Sequence, residues 1–258
     1  MEEKKVVLKL ENVSKSFAKI ENEDVTHALD HINATMESGE FISMVGPSGC
    51  GKSTILRLIA GLIRPTFGKI TVNDTKVEAP GPDRGMVFQK PTLFPWLTVE
   101  KNIAFSLQMQ GKLKGQEEKV EEMIRIIGLE DFRNDYPGQL SGGMAQRVAL
   151  VRSLISEPDV LLLDEPLGAL DAFTRMNMQD EILKIWRKRR QLAVMVTHDV
   201  DEAIYMGTRV FIMEANPGRI VADIKIAEEY PRDRSSDTFV AYRNTILKKL
   251  HFNGANAE

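Results

Sequence analysis

The residues best placed to do chemistry begin at GPSGCGKST, Gly46 to Thr54. Gly46, Gly49 and Gly51 let backbone N–H groups come close to phosphate oxygens. Lys52 and Ser53 complete the spacing G-x-x-x-x-G-K-[ST]. In such a loop Gly46, Pro47, Ser48, Gly49, Cys50, Gly51, Lys52, Ser53 and Thr54 wrap the phosphates of a nucleotide. Lys52 reaches the β- and γ-phosphates, and the Ser53 hydroxyl binds Mg²⁺. The run FISMVG before it reads as a buried strand and KSTILRLIAGL after it as a helix, whose N-terminal dipole adds to anion binding. That setting distinguishes a phosphate loop from a glycine-rich turn that happens to hold Lys-Ser. Cys50 fills an x position, so bound ATP is expected to slow its alkylation.

The segment VLLLDEP places Asp164 and Glu165 at the end of an apolar strand. Ligands of open α/β sheets sit beyond the carboxyl ends of strands. Asp164 suits a Mg²⁺ site, reached through the ion's waters. Glu165, one residue on, suits the polarisation of a water attacking the γ-phosphate. An acidic pair alone often just starts a loop; beside a phosphate loop it gains meaning. His198 closes LAVMVTH, and the residues alone leave it balanced between a structural and a site role. Thr197 or Asp199 suits the cap of the next helix. A second Ser-Gly-Gly helix start, LSGG at 140–143, heads an amphipathic run. A nucleotide wrapped by 46–54 has most phosphate oxygens engaged already. LSGG therefore faces either another nucleotide or the open side of the γ-phosphate, and spacing leaves both open.

These residues need a scaffold, and the pattern predicts one. Strands are expected at VVLKL (6–10), FISMVG (41–46), GKITVN, RGMVFQ, VLLLD (160–164), LAVMVTH (192–198) and RVFIM. Helices are expected after the phosphate loop, across 99–128, after LSGG, near 171–190 and briefly after His198. Val120, Met123, Ile124 and Ile127 keep helical spacing, with Gly128 placed to cap the last turn. Strands alternating with helices predict an α/β fold with a parallel sheet. The helical stretch from about 90 to 156 interrupts the alternation and reads as an inserted subdomain.

The chain has 258 residues, enough for one large or two small domains, with 43% hydrophobic and 28% charged residues. Its net charge of −3 gives no basic surface for nucleic acid. The one basic run, RKRR at 187–190, suits a helix C-terminus. The single cysteine forbids an intrachain disulfide. No signal-peptide core and no membrane-length apolar run is present, so work at a membrane requires a partner to hold the chain there.

In this order, GPSGCGKS, LSGGMAQR and VLLLDEP make the sequence resemble the ATPase subunits of ABC transporters over nearly its whole length. The resemblance implies a P-loop (RecA-like) α/β core with an N-terminal β-subdomain and an inserted α-helical subdomain. The expected division is 1–89 and 157–230 for the core, 90–156 for the helical insert and 231–258 for a tail whose end, GANAE, is expected to be disordered. It implies ATP and Mg²⁺ as ligands and a head-to-tail homodimer. In that dimer Ser141, Gly142 and Gly143 of one copy close over ATP on the phosphate loop of the other. Phe17 in VSKSF matches the aromatic that stacks on adenine; without the family it reads as a strand residue packing inward. Gln89 in VFQ matches the glutamine that contacts Mg²⁺ or the attacking water. Asp171 in LGALD falls at the dimer seam, and His198 matches the histidine that contacts the γ-phosphate.

PTLFPWLTVEKNIAF (91–105) and NPGRI (216–220) look like importer ATPases of the nitrate, sulfonate and taurine group. Phe94 and Trp96 either pack within the helical subdomain or line the groove that receives a short helix of a membrane subunit. The resemblance implies separate permease subunits, a solute-binding protein acting indirectly, and a peripheral position on the cytoplasmic face. A DNA-repair ATPase of the same class needs a long coiled-coil insert, and only 52 positions separate Gln89 from Ser141. Translation-type members usually carry two cassettes, and one phosphate loop is present. P-loop kinases and GTPases lack LSGG, and no NKxD stands in the chain. Exporters often fuse the ATPase to membrane spans.

Overall fold

A computed structural model describes residues 5–18 and 25–250. The terminal GANAE lies outside the described residues. The chain forms two compact units, one running to Gly81 and resuming at Arg190, the other Pro82–Arg189.

The first unit holds two sheets. An antiparallel sheet pairs β1 (Val7–Ala18) with β2 (Val25–Glu37) on one side and β4 (Phe67–Val72) on the other, with β5 (Thr75–Lys76) beyond. Bulges near Val13 and Lys15 shift the β1–β2 register, which bends and twists such a ribbon. A second set pairs β3 (Phe41–Val45) in parallel with β8 (Leu192–Val196) and β9 (Arg209–Glu214); β10 (Arg219–Lys225) joins β9 antiparallel. Every residue of β3 and β8 is buried, as unbroken apolar strands of a parallel sheet should be when both faces are covered. Each such Val, Leu or Ile side chain contributes about 1.5–3 kcal/mol. Helices α1 (Lys52–Ile59), α6 (Val200–Met206) and α7 (Asp237–Lys249) complete the unit.

The second unit pairs β6 (Arg84–Val87) in parallel with β7 (Val160–Asp164). Around them stand α2 (Val99–Met109), α3 (Glu117–Ile126), α4 (Gly142–Leu154) and α5 (Ala172–Arg189). The expected helical stretch 99–128 is two helices, broken where Gly111 and Gly115 take positive φ. Val120, Met123, Ile124 and Ile127 are buried. Gly128, at φ 61°, ends α3, with Gly128 N–H donating to Arg125 O and Leu129 N–H to Ile124 O; this is the glycine-ended helix stop that the pattern predicts. Arg187, Lys188 and Arg189 of the basic run lie in the last turn of α5, where their charge suits the helix dipole; Arg190 falls beyond the helix at φ 51°. Helix α4 departs from the expected amphipathic form. It is buried round most of its circumference, from Ala145 to Leu154.

Candidate functional site

The phosphate loop follows β3 and opens α1 as expected. Lys52 is 7% exposed, and its ammonium donates to Gly46 O at 2.7 Å and Pro47 O at 3.0 Å. The loop therefore curls round its own cation, where an oxyanion would meet it. Helix α1 has no side-chain cap and no acidic residue in its first turn. By contrast α2, α4, α6 and α7 are capped by Thr98, Ser141, Asp199 and Ser236. An uncapped start offers its N–H groups to an anion. Gly51 sits at φ 94°, and a Cβ there would stand 2.5 Å from Leu29 Cδ2. At Gly46 a Cβ would stand 2.6 Å from Met213 O. Both positions exclude larger residues on steric grounds alone. Behind the loop, Gly218 of NPGRI approaches the Cys50 carbonyl and donates its N–H to Ala28 O at 3.1 Å.

Cys50 corrects one expectation. Its side chain is fully buried, with Sγ 3.6 Å from Lys52 Nζ. The thiol is out of reagent's reach before any nucleotide arrives, so protection by ATP has no exposed group to act on.

Two other expected residues lie in the first unit. Phe17 is 41% exposed rather than packed inward, with the Lys15 ammonium 5.0 Å from its ring centre. His198 is exposed just past β8. Asp199 caps α6, accepting from Asp201 N–H at 2.9 Å and Glu202 N–H at 3.1 Å, and Thr197 Oγ1 accepts from Asp199 N–H at 3.1 Å. Of the two suggested capping residues Asp199 is the cap, and Thr197 bonds the cap residue's own N–H.

In the second unit the parallel pair β6–β7 explains where the remaining groups fall. Val87 is in register with Leu163. Gln89 and Glu165 each lie two residues beyond, at the same carboxyl edge. Gln89 Nε2 donates to Glu165 Oε2 at 2.9 Å. Glu165 takes φ 46°, a left-handed conformation that costs a non-glycine residue about 1–2 kcal/mol. Such an outlier marks a constrained position. Asp164, 3% exposed, ends β7 and is held within the strand edge.

The LSGG segment opens α4. Ser141 Oγ accepts from Met144 N–H at 3.2 Å, and Ser141 and Gly142 are exposed. Gly143 packs against the LGALD turn: a Cβ would stand 3.2 Å from Leu170 Cδ2 and 3.4 Å from Ala169 O. Asp171 caps α5, its Oδ1 accepting from Thr174 N–H at 3.0 Å. The Thr174 bonds hold its carboxyl below the usual carboxylate range. Arg175 donates to Leu170 O at 3.0 Å and steadies the same turn. Arg147 donates to the Ile127 carbonyl. Burial pulls the pKa of its guanidinium down, opposed by the charge of Asp171.

The aromatic segment lies in the same unit. Asn102 is fully buried and bonds both Phe94 N–H (2.9 Å) and the carbonyls of Phe94, Leu97 and Thr98 (2.9–3.1 Å). That clamp presents Trp96 at 71% exposure, its ring 5.6 Å from Phe94. Phe94, and not Trp96, lines a cavity of ≈ 410 Å³ together with Phe105, Met109 and Arg152 among others. Asn102, Gln146 and Arg175 are site-shaping residues that sequence reasoning missed. Nothing local marks the first two: Asn102 follows Glu100 and Lys101, and Gln146 precedes Arg147, so each reads as one more polar residue of a helix.

The ABC transporter family pattern matches residues 29–168. The chain is 49% identical over 247 residues to an uncharacterized ABC transporter ATP-binding protein of Methanocaldococcus jannaschii, covering 95% of this chain and 92% of that protein. It is 43% identical over 249 residues to an aliphatic sulfonates import ATP-binding protein of Bacillus cereus, covering 96% and 98%. A protein of the same description from Bacillus subtilis is 48% identical over 223 residues, covering 86% of each. Among solved structures, a dimeric ATP-binding cassette in a post-hydrolysis state with ADP and Pi superposes at a TM-score of 0.77 with 32% identity, covering 86% of this chain and all of that one. This chain belongs to the ABC transporter family, among its ATP-binding, ATP-hydrolysing subunits.

Proposed function

We propose that this chain powers the uptake of a small organic anion of the sulfonate class, hydrolysing ATP for separate membrane subunits. The observation that carries the energy-coupling part is the phosphate loop, closed on Lys52 at the mouth of an uncapped helix. The cargo class rests on relatives named as aliphatic sulfonate importers that align with nearly the whole chain.

In this reading Gly46–Thr54 hold the phosphates, and Phe17 offers an exposed ring for adenine. Ser53, Gln89 and Asp164 offer hydroxyl, amide and carboxylate oxygens, hard donors that suit Mg²⁺. The ion supplies charge neutralisation of the phosphates when bound. Glu165 takes a proton from the attacking water, and His198 contacts the γ-phosphate. Ser141, Gly142 and Gly143, with Asp171, serve the nucleotide of a second copy, so two chains are needed for each site. ATP, which favours the closed pair, shifts the population toward it. No described helix is long and apolar enough to cross a membrane; in this reading permease subunits hold the chain at the cytoplasmic face. Trp96 and the cavity lined by its ring neighbour Phe94 form their docking groove, since tryptophan is enriched among binding hot spots. The solute-binding protein acts through the permease, and no nucleic acid takes part.

Co-purification with its membrane subunits tests this. The wild type is expected to bring down permease and to drive sulfonate uptake in reconstituted vesicles. Trp96→Ala is expected to lose both while retaining ATP binding. Undiminished permease binding and transport in that variant would remove the groove assignment.

A further inference from the structure

Helix α4 reaches the candidate base through side chains of a single unit. Gln146 lies five positions after Ser141 and is 1% exposed. Its Nε2 donates to the Phe88 carbonyl at 3.2 Å. The next residue, Gln89, donates from its own Nε2 to Glu165 Oε2 at 2.9 Å. Further along α4, Ser153 Oγ donates to Met86 O at 3.1 Å. The helix thus grips the β6 strand end at two carbonyls, and only the grip at Phe88 adjoins the glutamine that meets the base.

The other half of the Gln146 amide argues that this contact is more than packing. Its Oε1 is buried with no hydrogen-bond partner. An unpaired buried acceptor is costly, and an aliphatic side chain of the same size would avoid that cost. A glutamine at this position is explained by its donor, and the donor has one destination.

We propose that Gln146 is a positioning residue for ATP hydrolysis. It holds the Phe88–Gln89 backbone so that the Gln89 amide sets the rotation of the Glu165 carboxylate, and so ties the LSGG segment to the base of its own chain. This rests on the reading of Glu165 as the base. Losing the Phe88 contact frees the Gln89 side chain and lowers the fraction of time the carboxylate faces the water. ATP affinity is untouched, because the phosphates are held by the loop at 46–54.

Steady-state hydrolysis, equilibrium ATP affinity and melting temperature are measured for the full chain. The variants are Gln146→Met, Gln89→Ala, the two together, Ser153→Ala and Glu165→Gln. Gln146→Met is expected to lower kcat about tenfold with ATP affinity unchanged. The double variant is expected to be no slower than Gln89→Ala, since both act through one contact. Ser153→Ala, which cuts the other grip, keeps kcat. A wild-type kcat in Gln146→Met, losses that multiply in the double variant, or an equal kcat loss in Ser153→Ala overturns the proposal. Should the melt show that Gln146→Met does not fold, Gln146→Asn replaces it, its shorter amide falling short of the Phe88 carbonyl, and the same outcomes decide. Wild-type turnover in Glu165→Gln removes the base itself; slow turnover there with fast Gln146→Met removes only the coupling.

Discussion

Glu165 illustrates how one residue's surroundings narrow its chemistry. Two acidic neighbours close one strand, yet they meet different fates. Asp164 is buried in the strand end, while Glu165 turns left-handed and meets Gln89. Replacing Glu165 by Gln keeps the shape and removes the proton acceptor. General-base assistance is worth about 10²–10⁴ in rate, so kcat is expected to fall by that factor, about 3–5 kcal/mol in the barrier. ATP affinity should be retained; a variant hydrolysing at the wild-type rate would show that another group takes the proton. Cys50 gives a second residue-level expectation. Fully buried, it should resist alkylation equally with and without ATP and react only on unfolding, which a labelling time course in rising urea reads directly. Fast labelling of the folded protein would contradict the buried thiol.

At the scale of elements, the legibility of the sequence followed burial. β3, β7 and β8 are continuous apolar runs buried on both faces, and each was readable to within two residues. β2, VTHALDHINATME, was not: its polar residues and mixed exposure weaken the strand pattern, and pairing with β1 supplies what local preference lacks. β10 is an edge strand with alternating half-exposure, and α7 buries only Phe239 and Ile246, so neither stood out. Site residues in fixed motifs were legible because phosphate chemistry dictates type and spacing together. Contacts such as Gln146 to Phe88 were not, because they depend on how α4 packs against β6. The LGALD turn carries an element-scale prediction. Asp171 caps α5, and its folded pKa is lowered by the Thr174 bonds. A lowered carboxylate pKa contributes stability that is fully present above the unfolded value and lost as pH falls through the folded one. The melting-temperature gap between wild type and Asp171→Ala should therefore be open at neutral pH and close in strong acid. A gap that widens on acidification would contradict the cap.

On the scale of the whole molecule, the two Ser-Gly-rich helix starts acquire separate tasks. The start of α1 is uncapped and backed by Lys52; the start of α4 is capped by Ser141 and exposed. The proposed function gives the first to the chain's own nucleotide and the second to its partner's. Lys52→Ala and Ser141→Arg should then each abolish hydrolysis for different reasons, one in holding phosphate and one in closing over it. Mixed together, the two inactive proteins form pairs in which one phosphate loop and one LSGG segment are both intact. ATP hydrolysis measured before and after mixing is the most direct test of a site shared between copies. The account predicts no turnover from either variant alone and turnover on mixing; activity in Ser141→Arg by itself, or a mixture that stays inactive although pairs form, would contradict it.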